Sequence, residues 1–231
     1  MFTYILNYLV SNNIALFGGI VRDFILFFEN NEININHYFL KYSNKYKYDI
    51  DCIMSEEQNS KLFDFLHKHS IFFKFEKYIR EEYIPFEDSH NLIVEFVTIK
   101  ILYKKEIILL DIFVHKKDAN IYDVMDTIVG TNIDFYCNCL RYVNNCISIN
   151  KNIVTKYLKN NNLFYPFEDT IYIDILISYY YDVNRTFEDE YNNIIVLNDI
   201  IKQIKAKTAI SIENPDTHRI EKMMNKNWLI I

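Results

Sequence analysis

Apolar residues recur at helical spacing from Phe2 to Val10, which predicts an opening helix packed behind a sheet. Ser11-Asn12-Asn13 breaks that pattern as a turn, and the short apolar run Ile14 to Phe17 predicts a first strand. The stretch from Ile20 to Phe28 is amphipathic again, with Val21, Phe24, Ile25 and Phe28 on one face of a helix. Glu29 to Asn36 is polar and reads as a loop, continued through Tyr46 as an insertion. Tyr48 to Met54 alternates with period two, the mark of a strand. Ser55-Glu56-Glu57-Gln58 has the form of a capping box and opens a helix that runs to His69. Ile71 to Ile79, Leu92 to Leu102 and Ile107 to Val114 read as strands, the last two joined by the hairpin Tyr103-Lys104-Lys105-Glu106. Asp118 to Asp126 reads as an acidic connection in which Asp123 and Asp126 are caps or surface groups. From Asp134 onward the pattern turns helical, at about 134–145, 152–160, 170–182, 187–206 and 216–227.

Helices alternate with strands first, and an antiparallel run follows. The expected class is α+β, with a mixed, mostly antiparallel sheet backed by helices and then a small helical C-terminal region. A soft boundary near residue 150 divides a domain, 1–150, from a helical region, 151–231, packed upon it.

Composition narrows the class. Half of the 231 residues are hydrophobic and 16% are aromatic, enough for a sizeable core without disulfides. The net charge of -6 argues against a general nucleic-acid binder, which ordinarily presents a basic surface. Lysines do cluster at Lys41, Lys45 and Lys47, at Lys100, Lys104 and Lys105, and at Lys202, Lys205 and Lys207, each reading as solvated surface. Cys52, Cys137, Cys139 and Cys146 lack paired zinc-ligand spacing and suit small apolar packing. The start carries no basic signal region, and no apolar run reaches the ~20 residues that span a bilayer. These features predict an intracellular, cytoplasmic protein with no membrane partner.

The candidate chemistry begins with glycine. Two of the three glycines, Gly18 and Gly19, stand together between the first strand and the amphipathic helix. Such a turn leaves backbone N–H groups and the positive end of the helix dipole to an anion; the bland alternative is a turn and nothing more. In Tyr48 to Met54 the alternation puts Asp49 and Asp51 on one face. Neighbouring carboxylates repel unless a cation lies between them, and a pair of magnesium ions about 4 Å apart is a common occupant in phosphoryl transfer. Asp111 is the single carboxylate in the apolar run Ile107 to Val114, where it is costly unless paired or bound to metal.

Gly18-Gly19-Ile20-Val21-Arg22-Asp23, followed by Asp49-Ile50-Asp51, resembles the head of the class II CCA-adding enzyme and bacterial poly(A) polymerase family, within the polymerase β-like nucleotidyltransferase superfamily. Downstream, Asp134-Phe135-Tyr136-Cys137-Asn138-Cys139-Leu140 resembles the family's Arg-Arg-Asp-Phe-Thr-x-Asn-Ala-Leu segment, with Asn132 and Ile133 where the family has arginines. The resemblance covers roughly residues 10 to 145. It implies a nucleotidyltransferase fold and transfer of NMP from an NTP to an acceptor hydroxyl; the sequence leaves RNA, a protein side chain and a small molecule open as the acceptor. Gly18 and Gly19 would hold the triphosphate, and Asp49, Asp51 and Asp111 would bind Mg2+ or Mn2+ and carry the catalysis. Arg22 would be a phosphate or a structural contact, and Asn138 a sugar or base contact. The competing expectation is an inactive protein of that fold serving as a binding or assembly module, which the missing arginines favour.

Overall fold

The computed structural model describes residues 1–26, 28–29, 32–33, 48–79, 92–103, 106–129, 133–143, 146–161, 187–212 and 215–231. In chain order these form α1 (Phe2–Ser11), β1 (Ala15–Phe17), α2 (Gly19–Leu26), β2 (Phe28–Glu29), β3 (Glu32–Ile33) and β4 (Tyr48–Ser55). Next come α3 (Glu56–Lys68), β5 (Phe73–Ile79), β6 (Ile93–Tyr103), β7 (Glu106–His115) and α4 (Ile121–Val129). A 3-10 turn (Tyr136–Asn138), β8 (Leu140–Val143), β9 (Cys146–Ile149), α5 (Lys151–Asn160) and α6 (Phe187–Lys205) follow, then β10 (Thr208–Ala209), α7 (Thr217–Met224) and β11 (Leu229–Ile230).

Seven strands make one sheet in the order β5-β6-β7-β4-β1-β8-β9. Every neighbouring pair is antiparallel except β4 with β7, which is parallel. A parallel pair needs a crossover, and α3 with β5 and β6 provides it. The protein is therefore α+β, with a mixed, mostly antiparallel sheet backed by helices.

Strand alternation decides what each face carries. On β4, Ile50, Cys52 and Met54 are buried in the main core, together with Ile108, Leu110, Ile112 and Val114 of β7. Against that face lie α1, through Phe2, Ile5, Leu6 and Leu9, then α2, α3, α5 and α6. Burying each such side chain contributes roughly 1.5–3 kcal/mol. The opposite face carries Asp49, Asp51 and Ile53 of β4, with Leu109, Asp111 and Phe113 of β7. There, Val124, Met125 and Ile128 of α4 join Ala15, Ile53, Ile93 and Val143 in a second cluster, packed also by Phe17 and Phe113. α4 thus covers the Ile53/Phe113 end of that face, and the aspartates lie toward the other end.

Capping explains α3: Ser55 Oγ accepts from the Gln58 N–H while the Gln58 side chain accepts from the Ser55 N–H, a complete capping box. The C-terminal segment closes the structure. β10 and β11 pair in parallel, Ser211 bridges to Phe135, and the N–H groups of Tyr136 and Ile212 donate to Ile210 and Asp134. Met223 and Trp228 sit in the main core, so one core takes residues from both sides of position 150.

Four expectations change, the first being the loop expected over Glu29 to Asn36, where Phe28–Glu29 and Glu32–Ile33 instead pair as the antiparallel strands β2 and β3. The helix expected over 134–145 is instead a short 3-10 turn followed by the β8–β9 hairpin. β8 is nearly all buried, and a strand covered on both faces shows no alternation to separate it from a helix. The connection expected over 118–126 contains α4, whose start is marked by Asn120 accepting from the Tyr122 N–H. Phe28, expected on the face of the second helix, lies beyond its end, in β2. The expected helix at 170–182 and most of the insertion before Lys47 lie outside the described residues.

Candidate functional site

The site is assembled by strand register. Asp51 of β4 stands opposite Asp111 of β7, and Asp49 lies two residues earlier on the same face. On its other side Asp51 stands opposite Phe17 of β1, the residue before the glycine pair. Gly18 then turns the chain with φ +71°, a conformation that favours glycine, and its carbonyl accepts the first helical bond of α2 from the Arg22 N–H. A Cβ on Gly18 would lie 3.1 Å from Asp51 Oδ2. A side chain there would crowd the carboxylate, which would have to shift by a few tenths of an ångström. The first-turn N–H groups of α2 have no carbonyl partner within the helix.

Each carboxylate has a different environment. Asp111 Oδ1 accepts a hydrogen bond from Thr98 Oγ1 at 2.8 Å, across the β6–β7 register. Asp49 Oδ2 is bound by Lys222 Nζ of α7 at 2.9 Å, whereas Asp49 Oδ1 is buried and has no hydrogen-bond partner. Burial, then the charges of Asp111 and Asp49, push Asp51 up to about 7, against a smaller downward pull from Lys222 and Arg219. Burial and the charges of Asp51 and Asp111 also hold the Cys52 thiol well above its ordinary value.

Arg22 and Asn138 also meet, but in a different cluster. The Arg22 guanidinium donates to Asp23 Oδ1 at 2.7 Å, to Asn138 Oδ1 at 2.8 Å and to Met223 Sδ at 3.1 Å, and lies over the Trp228 ring at 4.9 Å. Only 2% of Arg22 is exposed. Of the two roles expected for it, this geometry is that of a structural contact. Its guanidinium ties α2 to the 3-10 turn and to the C-terminal segment.

Four further residues at or beside the site were not singled out from sequence as site residues: Thr98, Arg219, Lys222 and Lys226. Arg219 lies 3.4 Å from Asp134, and Lys226 lies 3.9 Å from Asp23. Burial lowers Lys226, with Asp23 acting in the opposite direction. Thr98 could have been found by counting register from the hairpin, since it stands opposite Asp111. Lys222 could not: it is 173 positions from Asp49, and the helical pattern over 216–227 does not say where that helix docks.

Among the described residues no three His, Cys, Asp or Glu side chains stand together so as to hold a metal ion. Lys222 and Thr98 hold oxygens of two of the three carboxylates in this arrangement. The donor set itself fits a hard cation, with carboxylate oxygens on one face and Asp49 Oδ1 buried and unsatisfied. Among the described residues no helix is long and apolar enough to cross a membrane. No protein-family model matches the chain, and no curated protein matches it.

Proposed function

We propose that the protein is a metal-dependent nucleotidyltransferase that moves NMP from an NTP to an acceptor hydroxyl on RNA, a protein or a small molecule, the bond between the α- and β-phosphates breaking and pyrophosphate leaving. One observation carries the reading: Asp51 and Asp111 stand in register on adjacent parallel strands, with Asp49 on the same face and Asp51 against the Gly18 turn. Asp49, Asp51 and Asp111 would hold Mg2+ or Mn2+, which when bound neutralises charge on the transferring phosphate. The N–H groups at the start of α2 bind the triphosphate through its oxygens and carry no base information. Asp111, aligned by Thr98, accepts the proton of the attacking hydroxyl. Arg22 acts at a distance, by fixing α2 against the 3-10 turn.

Labelled NTPs incubated with Mg2+ and either total RNA or whole cell lysate test the activity. Incorporation that disappears in Asp51→Asn is expected. No incorporation from any of ATP, GTP, CTP or UTP into RNA, protein or small molecules overturns it. One observation favours the second reading, an inactive fold kept for binding or assembly: Asp49, which the first reading gives to a metal, is ion-paired to Lys222 at 2.9 Å.

A further inference from the structure

We propose that Lys222 is a displaceable counter-ion: it holds Asp49 in the metal-free protein, yields that oxygen to an entering divalent cation, and then binds the nucleotide's phosphates. The inference rests on the nucleotidyltransferase reading and extends it to a residue on the last helix of the chain. The Lys222 ammonium sits 2.9 Å from Asp49 Oδ2, on a side chain that is 46% exposed. An ion pair with that much solvent access is weak, and a divalent cation competes with it effectively. The Lys222 backbone need not move in the exchange. Met223 and Trp228 anchor α7 and the turn after it in the core, while the lysine stem has four rotatable carbons. Asp49 is also under-used, because its second oxygen is buried without a partner. Arg219 and Lys226 stand on the same short segment, each paired with a carboxylate of its own, Arg219 with Asp134 and Lys226 with Asp23, so Lys222 is the cation of that segment paired with Asp49.

Two measurements without turnover test this. Mn2+ binding, followed by electron paramagnetic resonance in the absence of nucleotide, reads the competition. Binding of preformed Mn2+–tripolyphosphate, followed by calorimetry, reads the phosphate contact. In Lys222→Met, Mn2+ should bind about threefold tighter, because a weak competing ion pair is gone. Tripolyphosphate should bind about tenfold more weakly, because a charged donor is gone. Lys222→Gln should reproduce both changes, and an unchanged urea midpoint checks that each variant is folded. A structural salt bridge would instead weaken both ligands together. Mn2+ affinity equal to or below that of the wild type overturns the displacement, and unchanged tripolyphosphate affinity overturns the phosphate role. A wild-type protein that binds no Mn2+ overturns the nucleotidyltransferase reading itself, and this inference with it.

Discussion

Two charged clusters meet at the glycine turn, and each glycine faces one of them. A Cβ on Gly18 would point at Asp51, and one on Gly19 would lie 3.5 Å from the Arg22 guanidinium. The Arg22 cluster is saturated: its cation is buried and takes a carboxylate, an amide oxygen, a thioether and an aromatic face. The aspartate cluster is unbalanced: two carboxylates stand in register, a third has one oxygen unsatisfied, and the nearest ion pair is half-exposed. A saturated cluster stabilises a fold, whereas an unbalanced one costs stability and has capacity left for a ligand. Comparable residue types thus point to different roles, and the difference lies in their partners.

The largest expected effect comes from breaking the saturated side. Arg22→Met leaves the largely buried Asp23 with Lys226, at 3.9 Å, as its remaining cation among the described residues and removes the tie to Asn138. We expect a loss of about 3 kcal/mol, the usual consequence of leaving a buried charge unpaired. Urea denaturation measures it. A loss near zero would mean that the cluster contributes no more than an exposed pair.

The unbalanced side should behave oppositely. Asp51, whose carboxyl lies near 7 when folded against an ordinary 3.8, binds its proton more tightly in the folded state. Between those pH values the folded protein holds more protons than the unfolded one, so this group's contribution falls as pH rises from about 4 to 7. Asp51→Asn should remove that slope and stabilise the metal-free protein at pH 8 by on the order of 2 kcal/mol. Denaturation curves at pH 5 and pH 8 for both proteins give the comparison. The Mg2+-induced rise in Tm should in turn be larger at pH 8 than at pH 5 in the wild type, since the ligands must be deprotonated. Equal slopes in the two proteins would show that Asp51 is not strained by its neighbours.

The smallest effects separate the two glycines. Gly18→Ala meets both a positive φ and the Asp51 carboxylate at 3.1 Å, and should cost about 2 kcal/mol. Gly19→Ala meets only an ordinary contact at the start of a helix, and should be neutral or stabilising by about 0.5 kcal/mol. Thermal melts of the two variants decide it. Equal costs would remove the special status of Gly18.

Much of this geometry was legible before any coordinates. The period-two alternation of Tyr48 to Met54 put Asp49 and Asp51 on one face, and the lone carboxylate of Ile107 to Val114 marked Asp111. Both readings rest on local repeats, and local repeats survive into the fold. The register that sets Asp51 opposite Asp111 was not legible, because parallel pairing is decided across a crossover of fifty residues, 56–105. The β8–β9 hairpin was missed for a different reason. Its apolar runs are buried on both faces, and the better signal was the Asn144-Asn145 link between them in the sequence. The last helix is legible as a helical pattern over 216–227, but such a pattern names no target for its cations.

The reach of Lys222 to Asp49 has a consequence for how the chain is made. Synthesis runs from the N-terminus, so all three aspartates leave the ribosome more than a hundred residues before their counter-ion. The acidic face must therefore wait for its compensation until α7 arrives, and contacts so distant in sequence form slowly. For that interval the growing chain displays an acidic patch with no internal lysine at Asp49, and dissolved cations are what is at hand to shield it. Folding from denaturant in magnesium should then be faster than folding in its absence, with the gain confined to the phase in which β4 and β7 pair, before α7 docks.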